Sequence, residues 1–422
     1  MLRGRRSALP RHRRVQLQRH LQLSRLSLVV LALGASGCTF TANLDDLKGG
    51  APVTDGGTTV DADAGGDTTT TPAAPMLPLK VVVAGGQHAC VIDGTDDLFC
   101  WGANYAGQLG NGKTGGKEAF FVKAQVPEKV SAAACGGQHT CAVGKSGTLY
   151  CWGAGASGAL GNGDTDVNVP TAVAGVSDVS KVTAGANHTC AIASAALWCW
   201  GSNSEGQLGT GAASSTPAKV PLTNVTVAAA GGQHTCAVAN GEVSCWGSNV
   251  FGQVGSAQVG TDAPTAVGVP SGFAPASVSA GGKHSCARDS DDKVVCWGNN
   301  QEGQLGIGST SQQELPTALS GYSASGISLG EEHSCGIAAG VISCWGASDR
   351  GQVGVGSGSS FDSPTQLILT QVQSVATGTR FSCAIAANGG ALWCWGDNTS
   401  SQLGADLSTS SEAQPHKLPL TQ

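Results

Sequence analysis

The chain has 422 residues, 63 of them Gly and 9 Trp, with only 12% charged side chains. That length holds one large domain or two ordinary ones, and a glycine-rich, charge-poor composition favours tight turns and β-structure over helices. The net charge of −6 conceals eight arginines before residue 38; the remainder carries 15 basic against 29 acidic residues, a body that repels phosphate backbones and argues against general nucleic-acid binding.

Residues 1–37 read as a targeting segment. A basic stretch precedes the apolar run "LSLVVLALGA", too short to span a bilayer as an ordinary helix. The run ends in "ASGC", which resembles the lipobox of bacterial lipoproteins, with Ala35 where Leu is commonest. The resemblance implies cleavage before Cys38, a diacylglyceryl thioether on its sulfur and an acylated amine. The alternative is a simple secretory peptide cut nearby; either way the mature protein has crossed a membrane. Contact with the membrane is expected through the lipid alone, in the cell envelope. Thr39 lacks the Asp that in some bacterial families retains lipoproteins at the inner membrane, which favours the outer membrane or the cell surface. Residues 38–78 are rich in Thr, Asp, Gly, Ala and Pro without apolar periodicity, so they read as a disordered tether. Asp61, Asp63 and Asp67 lack the glycine and ligand pattern of a calcium loop.

From residue 79 to 422 the chain repeats itself. Seven segments such as "AGGQHACVI", "AGGQHTCAV" and "TGTRFSCAI" are each followed by "CWG" and something close to "GQLG". Histidines fall at 88, 139, 188, 234, 284 and 333, and Phe381 holds the seventh place. Within a repeat the pattern alternates: His234, Cys236 and Val238 point one way, Thr235, Ala237 and Ala239 the other. Asn240-Gly241 is the strongest hairpin signal, since both residues tolerate positive φ. About four short antiparallel strands per repeat, seven times over, predict an all-β chain closed radially to leave few sheet edges: a seven-bladed β-propeller of four-stranded blades.

The pattern Gly-x-x-His-[Thr/Ser]-x-Ala, then Trp-Gly-x-Asn-x-x-Gly-Gln-Leu-Gly, resembles the regulator of chromosome condensation repeat. The resemblance covers residues 79–420 and implies a seven-bladed propeller, often closed by pairing the two chain ends in one blade. "PLKVVVAGG" and "QPHKLPL" are the expected partners for that closure. Relatives include a nuclear exchange factor for a small GTPase and secreted β-lactamase-inhibitory proteins.

Fourteen of the 16 cysteines form seven pairs: Cys90 with Cys100, Cys141 with Cys151, Cys190 with Cys199, Cys236 with Cys245, Cys286 with Cys296, Cys335 with Cys344, and Cys383 with Cys394. Counting outward from the Asn240-Gly241 turn places Cys236 directly opposite Cys245, at a non-hydrogen-bonded position within disulfide reach. Zinc competes, because His-x-Cys puts two ligands on one strand face. Against it, the seventh repeat keeps both cysteines beside Phe381, each blade offers three ligands, and the spacing is not C-x-x-C. An exported location also favours oxidation. Intrablade hairpin disulfides are therefore expected, each worth up to ~2.7 kcal/mol in the chain-entropy model. Cys135 is left as a small buried thiol.

Catalytic residues are needed once, whereas His and Trp recur in nearly every repeat. The "CWG" tryptophans read as plates between blades and the histidines as hydrogen-bonded struts; Trp198 and Trp393 add aromatic surface, for packing before sugar stacking. No nucleophile elbow, Walker loop, HExxH motif or dinucleotide fingerprint is present. No enzyme, cofactor or metal is expected. Function is sought where repeats differ. Gln87, Gln138, Asn187, Gln233, Lys283, Glu332 and Arg380 precede the repeat histidine or Phe381, and one per blade would ring one face. A second variable set follows each Trp-Gly: Tyr105, Glu205, Phe251, Glu302 and Arg350. The first of these loops adds Phe120 and Phe121. Exposed aromatics and arginine in rim loops suit a protein interface. The expectation is a monomeric, lipid-anchored, non-enzymatic envelope propeller binding another protein as scaffold, adhesin or inhibitor. Polysaccharide binding or hydrolysis in the propeller funnel is the alternative. Guanine nucleotide exchange would need a partner that an exported chain does not meet.

Overall fold

The hairpin of the fourth repeat shows how local sequence becomes a blade. Asn240 and Gly241 take φ of 53° and 77°, the left-handed pair that a two-residue turn matched to strand twist requires. The turn sets the register: Ala239 opposite Glu242, Cys236 opposite Cys245, His234 opposite Gly247. Each flanking segment then adds one strand, giving the sheet Val225–Ala230, His234–Ala239, Glu242–Gly247 and Thr261–Ala266.

A computed structural model describes residues 74–257, 260–356, 358–404 and 407–420. Its strands, β1–β28 in chain order, form seven antiparallel four-stranded sheets, each a simple meander. The leader 1–37, Cys38 and all but the last residues of the tether lie outside the described residues.

All seven expected cysteine pairs are disulfides, each joining the second and third strands of its blade with Cα atoms 4.0–4.1 Å apart. They are Cys90 to Cys100, Cys141 to Cys151, Cys190 to Cys199 and Cys236 to Cys245 in the first four blades. Cys286 to Cys296, Cys335 to Cys344 and Cys383 to Cys394 follow in the last three. In every pair the two cysteines are direct cross-strand partners. With both sulfurs of each hairpin joined to one another, none of these cysteines is left to ligate zinc.

One expectation is corrected. The chain ends do not pair with each other. The first blade is built from β1 (Val81–Ala84), β2 (His88–Ile92), β3 (Leu98–Ala103) and β4 (Lys117–Lys123). The last is built from β25 (Ser374–Thr377), β26 (Phe381–Ala386), β27 (Ala391–Asp397) and β28 (Ser411–Lys417). The repeat begins on an innermost strand and ends on an outermost one, so every blade is complete from consecutive residues and no strand is missing for the ends to supply. The ring closes by packing the last blade on the first, helped by Leu79 N–H to Gly389 O (2.8 Å) and Thr379 N–H to Gly85 O (3.2 Å).

The same joint recurs between neighbouring blades. Each "CWG" tryptophan is fully buried and donates Nε1–H to a carbonyl of the preceding blade: Trp246 to Gln207 O, Trp297 to Gln253 O, and across the closure Trp101 to Gln402 O, all at 2.9 Å. The hydroxyl after the repeat histidine donates to that same carbonyl, as Thr235 to Gln207 O at 2.8 Å and Ser285 to Gln253 O at 2.9 Å. Its own proton is thus committed, so it accepts from the imidazole of the preceding blade: His188 Nε2–H donates to Thr235 and His234 Nε2–H to Ser285, both at 2.8 Å. Six histidines make this strut. Burial holds all six imidazoles neutral, with pKa lowered from 6.5 to about 3 or 4.

At the closing joint both polar partners are replaced at once. Phe381 stands in the imidazole's place and Ala89 in the hydroxyl's, and both are fully buried in one apolar cluster. Removing donor and acceptor together avoids the cost of an orphaned buried group.

Candidate interaction face

Because strands alternate in direction, each blade sends two turns to one face of the ring: the short one between its first and second strands and the long one between its third and fourth. Hairpin turns and the connections between blades occupy the opposite face. We call these the loop face and the hairpin face.

Both variable sets lie on the loop face. The carbonyls of Gln87, Gln138, Asn187, Gln233, Lys283, Glu332 and Arg380 each accept an N–H from the residue after Trp-Gly, at 2.8–2.9 Å. Backbone position is thereby the same in all seven blades while the side chain is left to vary. Gln87, Gln138, Asn187, Gln233 and Arg380 are exposed; Lys283 and Glu332 are half-buried. Beneath them, backbone hydrogen bonds link neighbouring blades, among them Gly86 N–H to Gly136 O and Gly232 N–H to Gly281 O, both 3.0 Å. They frame a central cavity of about 430 Å³ bordered by Asn187, Gln233, Lys283 and Glu331.

The long loops are held from within. Buried Gln207, Gln253, Gln304 and Gln352 each accept, through Oε1, the N–H two residues earlier, at 2.9 Å. Glu205, Phe251, Glu302 and Arg350 therefore occupy one equivalent place. Tyr105 does not share it: in its loop Ala106 makes that bond, to Gln108. Tyr105 stands one residue earlier, 55% exposed, where the fourth blade has Val250, 76% exposed. Aligning the loops on Asn-x-x-Gly-Gln would have separated the two positions and brought Val250 forward.

Phe120 and Phe121 are not loop residues but belong to β4. Strand alternation sends Phe121 inward, edge-on to Trp101 with ring centroids 5.0 Å apart, and leaves Phe120 partly exposed on the flank. Trp198 and Trp393 are half-buried against inter-blade clusters, which favours packing over sugar stacking. Cys135 is buried with Sγ 3.6 Å from Cys90 Sγ, and burial pushes its thiol up to about 12.

The variable residues of the later blades meet one another. Lys283 Nζ lies 4.9 Å from the centroid of the Phe251 ring, a cation–π contact. Arg380 and Arg350 approach the same Asp349 carboxylate at 3.6 and 3.9 Å. Burial raises the Glu332 carboxyl above its ordinary range, reinforced by Glu331 and Glu302 and opposed by Lys283 and Arg380. Gln87, Gln138, Asn187, Gln233 and Tyr105 make no side-chain hydrogen bond or ion pair among the described residues. Nor do those residues hold a group of three His, Cys, Asp or Glu able to bind a metal ion.

Comparison with known proteins agrees with this architecture. The family model "Regulator of chromosome condensation (RCC1) repeat" matches residues 95–143, 146–192, 194–238, 240–288, 291–337 and 340–385. The ultraviolet-B receptor UVR8 of Arabidopsis thaliana is 29% identical over 271 residues, covering 60% of each chain; the matched part is thus less than two thirds of that receptor. Among solved structures, yeast RCC1 (Prp20), determined with Kap60 bound to it, superposes with a TM-score of 0.67 at 24% identity, over 76% of this chain and 83% of that one. Human WBSCR16 gives 0.69 at 23% identity, over 77% and 95%. At such identities the structural likeness speaks to the fold alone.

Proposed function

Because the chain belongs to the regulator of chromosome condensation repeat family, we propose that it is an interaction module rather than an enzyme, and that it engages a protein partner through the loop face. Propellers of this kind serve broadly as protein-binding platforms, as the Kap60 complex of yeast RCC1 illustrates. Fold alone does not choose a partner. One observation carries the reading. Seven loops with the same backbone hydrogen bonding present variable outward side chains at equivalent places, an arrangement that fixes geometry and leaves chemistry free to be specific. The half-buried charges and the Phe251–Lys283 stack are the kind of preorganised groups that anchor interfaces.

The location completes the proposal. The "ASGC" motif supports export and lipidation at Cys38, so the module would act as a monomer held to the cell envelope by its lipid. Replacing Cys38 with Ser should release the protein from the membrane fraction, and mass spectrometry should find acyl groups on the native N-terminus. Affinity capture from envelope extracts with the full mature chain tests the partner reading. Recovery of no protein, together with retention on a polysaccharide column, would overturn it in favour of glycan binding.

A further inference from the structure

We propose that the loop face docks a cationic protein segment, seated in the groove between the third and fourth blades; this rests on the interaction reading above. The distribution of charge carries it first. Assigned to faces by strand order, nine basic and nine acidic residues of the described chain lie at the hairpin face, which is balanced. The loop face has five basic residues, Lys113, Lys117, Lys283, Arg350 and Arg380, against thirteen carboxylates. Among the described residues the whole negative excess is therefore on one side.

Pairing sharpens the asymmetry. Six of the eight ion pairs among the described residues lie at the hairpin face, where Asp96 and Asp97 alone gather Lys80, Lys123, Lys129 and Lys145. On the loop face the two remaining pairs both fall on Asp349. Two other cations there meet neutral groups: Lys283 lies over the Phe251 ring and Lys117 donates to Thr399 O at 3.2 Å. The other twelve carboxylates form no close ion pair among the described residues, Glu332 alone feeling Lys283 and Arg380 at longer range. A field of one sign over a concave surface steers and holds ligands of the opposite sign.

The groove gives that field a seat. A cavity of about 720 Å³ is walled by the long loops of the third and fourth blades and by the outer strand of the fifth. Glu205, Asp262 and Glu314 line it, no Lys or Arg among the described residues does, and Asn203 and Ser204 add polar groups, while the Asn249 amide is committed to the backbone of Ser256 and Val254. Val250 stands at its wall, 76% exposed, apolar surface beside three carboxylates. Lysine and arginine combine an aliphatic stem with a cationic head and fit such a surface with both parts. The carboxylates are placed by close backbone approach: a Cβ on Gly252, whose φ is +80°, would stand 2.7 Å from Glu314 Cα, and one on Gly206 2.6 Å from Asp262 Cα.

The test uses the full mature chain and a short photo-crosslinkable oligolysine peptide as probe, titrated at low and at physiological salt. Glu205, Asp262 and Glu314 are exposed and make no side-chain hydrogen bond or ion pair among the described residues, so E205Q/D262N/E314Q should fold normally, checked by circular dichroism. The expected result is salt-sensitive binding, crosslinks in the two groove loops, and a loss of about tenfold or more in the triple variant. D164N/D166N/E412Q, which removes the same charge elsewhere on the loop face, should lose less than about threefold. Equal losses in the two variants would reduce the effect to diffuse attraction and overturn the groove. Preferential binding of oligoglutamate, dextran or anionic vesicles at this face would overturn the cationic occupant. A protein captured from envelope extracts equally well by the triple variant would refute this inference and leave the interaction reading standing; capture of none would refute that reading instead.

Discussion

Lowering the pH from 7 to 6 should cost this propeller stability far out of proportion to its composition. The six strut histidines are fully buried and neutral, with pKa of about 3 or 4 against 6.5 for an unconstrained imidazole. An unfolded chain protonates these groups near 6.5, while the folded ring does not until pH falls to about 3 to 4. The unfolded state therefore binds more protons throughout that window, and stability present above pH 6.5 is lost as pH falls through it. Between pH 7 and 6 each histidine contributes a loss of about 0.7 kcal/mol, so six give about 4 kcal/mol, against a total of roughly 5–15 kcal/mol for ordinary domains. Whether the folded value is 3 or 4 hardly matters, since both lie far below this interval. Carboxylates ordinarily titrate near ~4, also below this interval, and contribute little there. Urea unfolding of the disulfide-intact protein, followed by tryptophan fluorescence at pH 7.0, 6.5 and 6.0, measures the effect. A change below about 1 kcal/mol would refute the neutral-strut account.

Importing the closing joint elsewhere makes a second test. Ser285→Ala alone should cost about 1–3 kcal/mol by orphaning His234 Nε2–H, and adding His234→Phe should recover at least half of it; a further loss in the double variant would oppose the paired-replacement argument. In denaturant without reductant, thiol titration should find one cysteine from the described residues, Cys135, and one more only where Cys38 is unmodified. In the folded protein Cys135 should react very slowly, because its thiol is buried and raised to about 12. Gly252→Ala should cost about 1–3 kcal/mol through its positive φ and the Glu314 backbone, read as a fall in Tm; an unchanged Tm would show that the loop has room to move.

Blade architecture is legible in the sequence because its determinants are local. The two-residue turn at Asn240-Gly241 dictates that Cys236 faces Cys245, and six further repeats state the same rule with small changes of loop length. What escapes the sequence depends on neighbours far apart in the chain. Ala89 looks like an ordinary variant until Phe381, 292 residues away, is seen in the same cluster. Closure is hidden for a related reason: composition shows that both ends have strand character, but not that each already has a blade to finish. The glycines before Phe121 suggest a loop, whereas β4 begins at Lys117. Repeat position alone suffices to assign the variable residues to one face. The concentration of carboxylates on that face needs three dimensions, since along the chain the segments that reach the two faces alternate within every blade.

The placement of the disulfides also has a bearing on mechanical integrity. Among the described residues every sulfur bridge joins two strands of one hairpin, and none crosses from one blade to the next. The assembly resembles a barrel whose staves are each nailed but which has no hoop. A proteolytic cut within a hairpin turn, such as at Asn240-Gly241, leaves the two pieces tied through Cys236–Cys245. A cut in a connection between blades, such as at Thr223-Asn224, leaves pieces that share no covalent bond. Such nicked molecules would run intact in native gels and fall apart in detergent without any reductant. Damage at the borders of blades is thus hidden while the ring holds and complete once it opens.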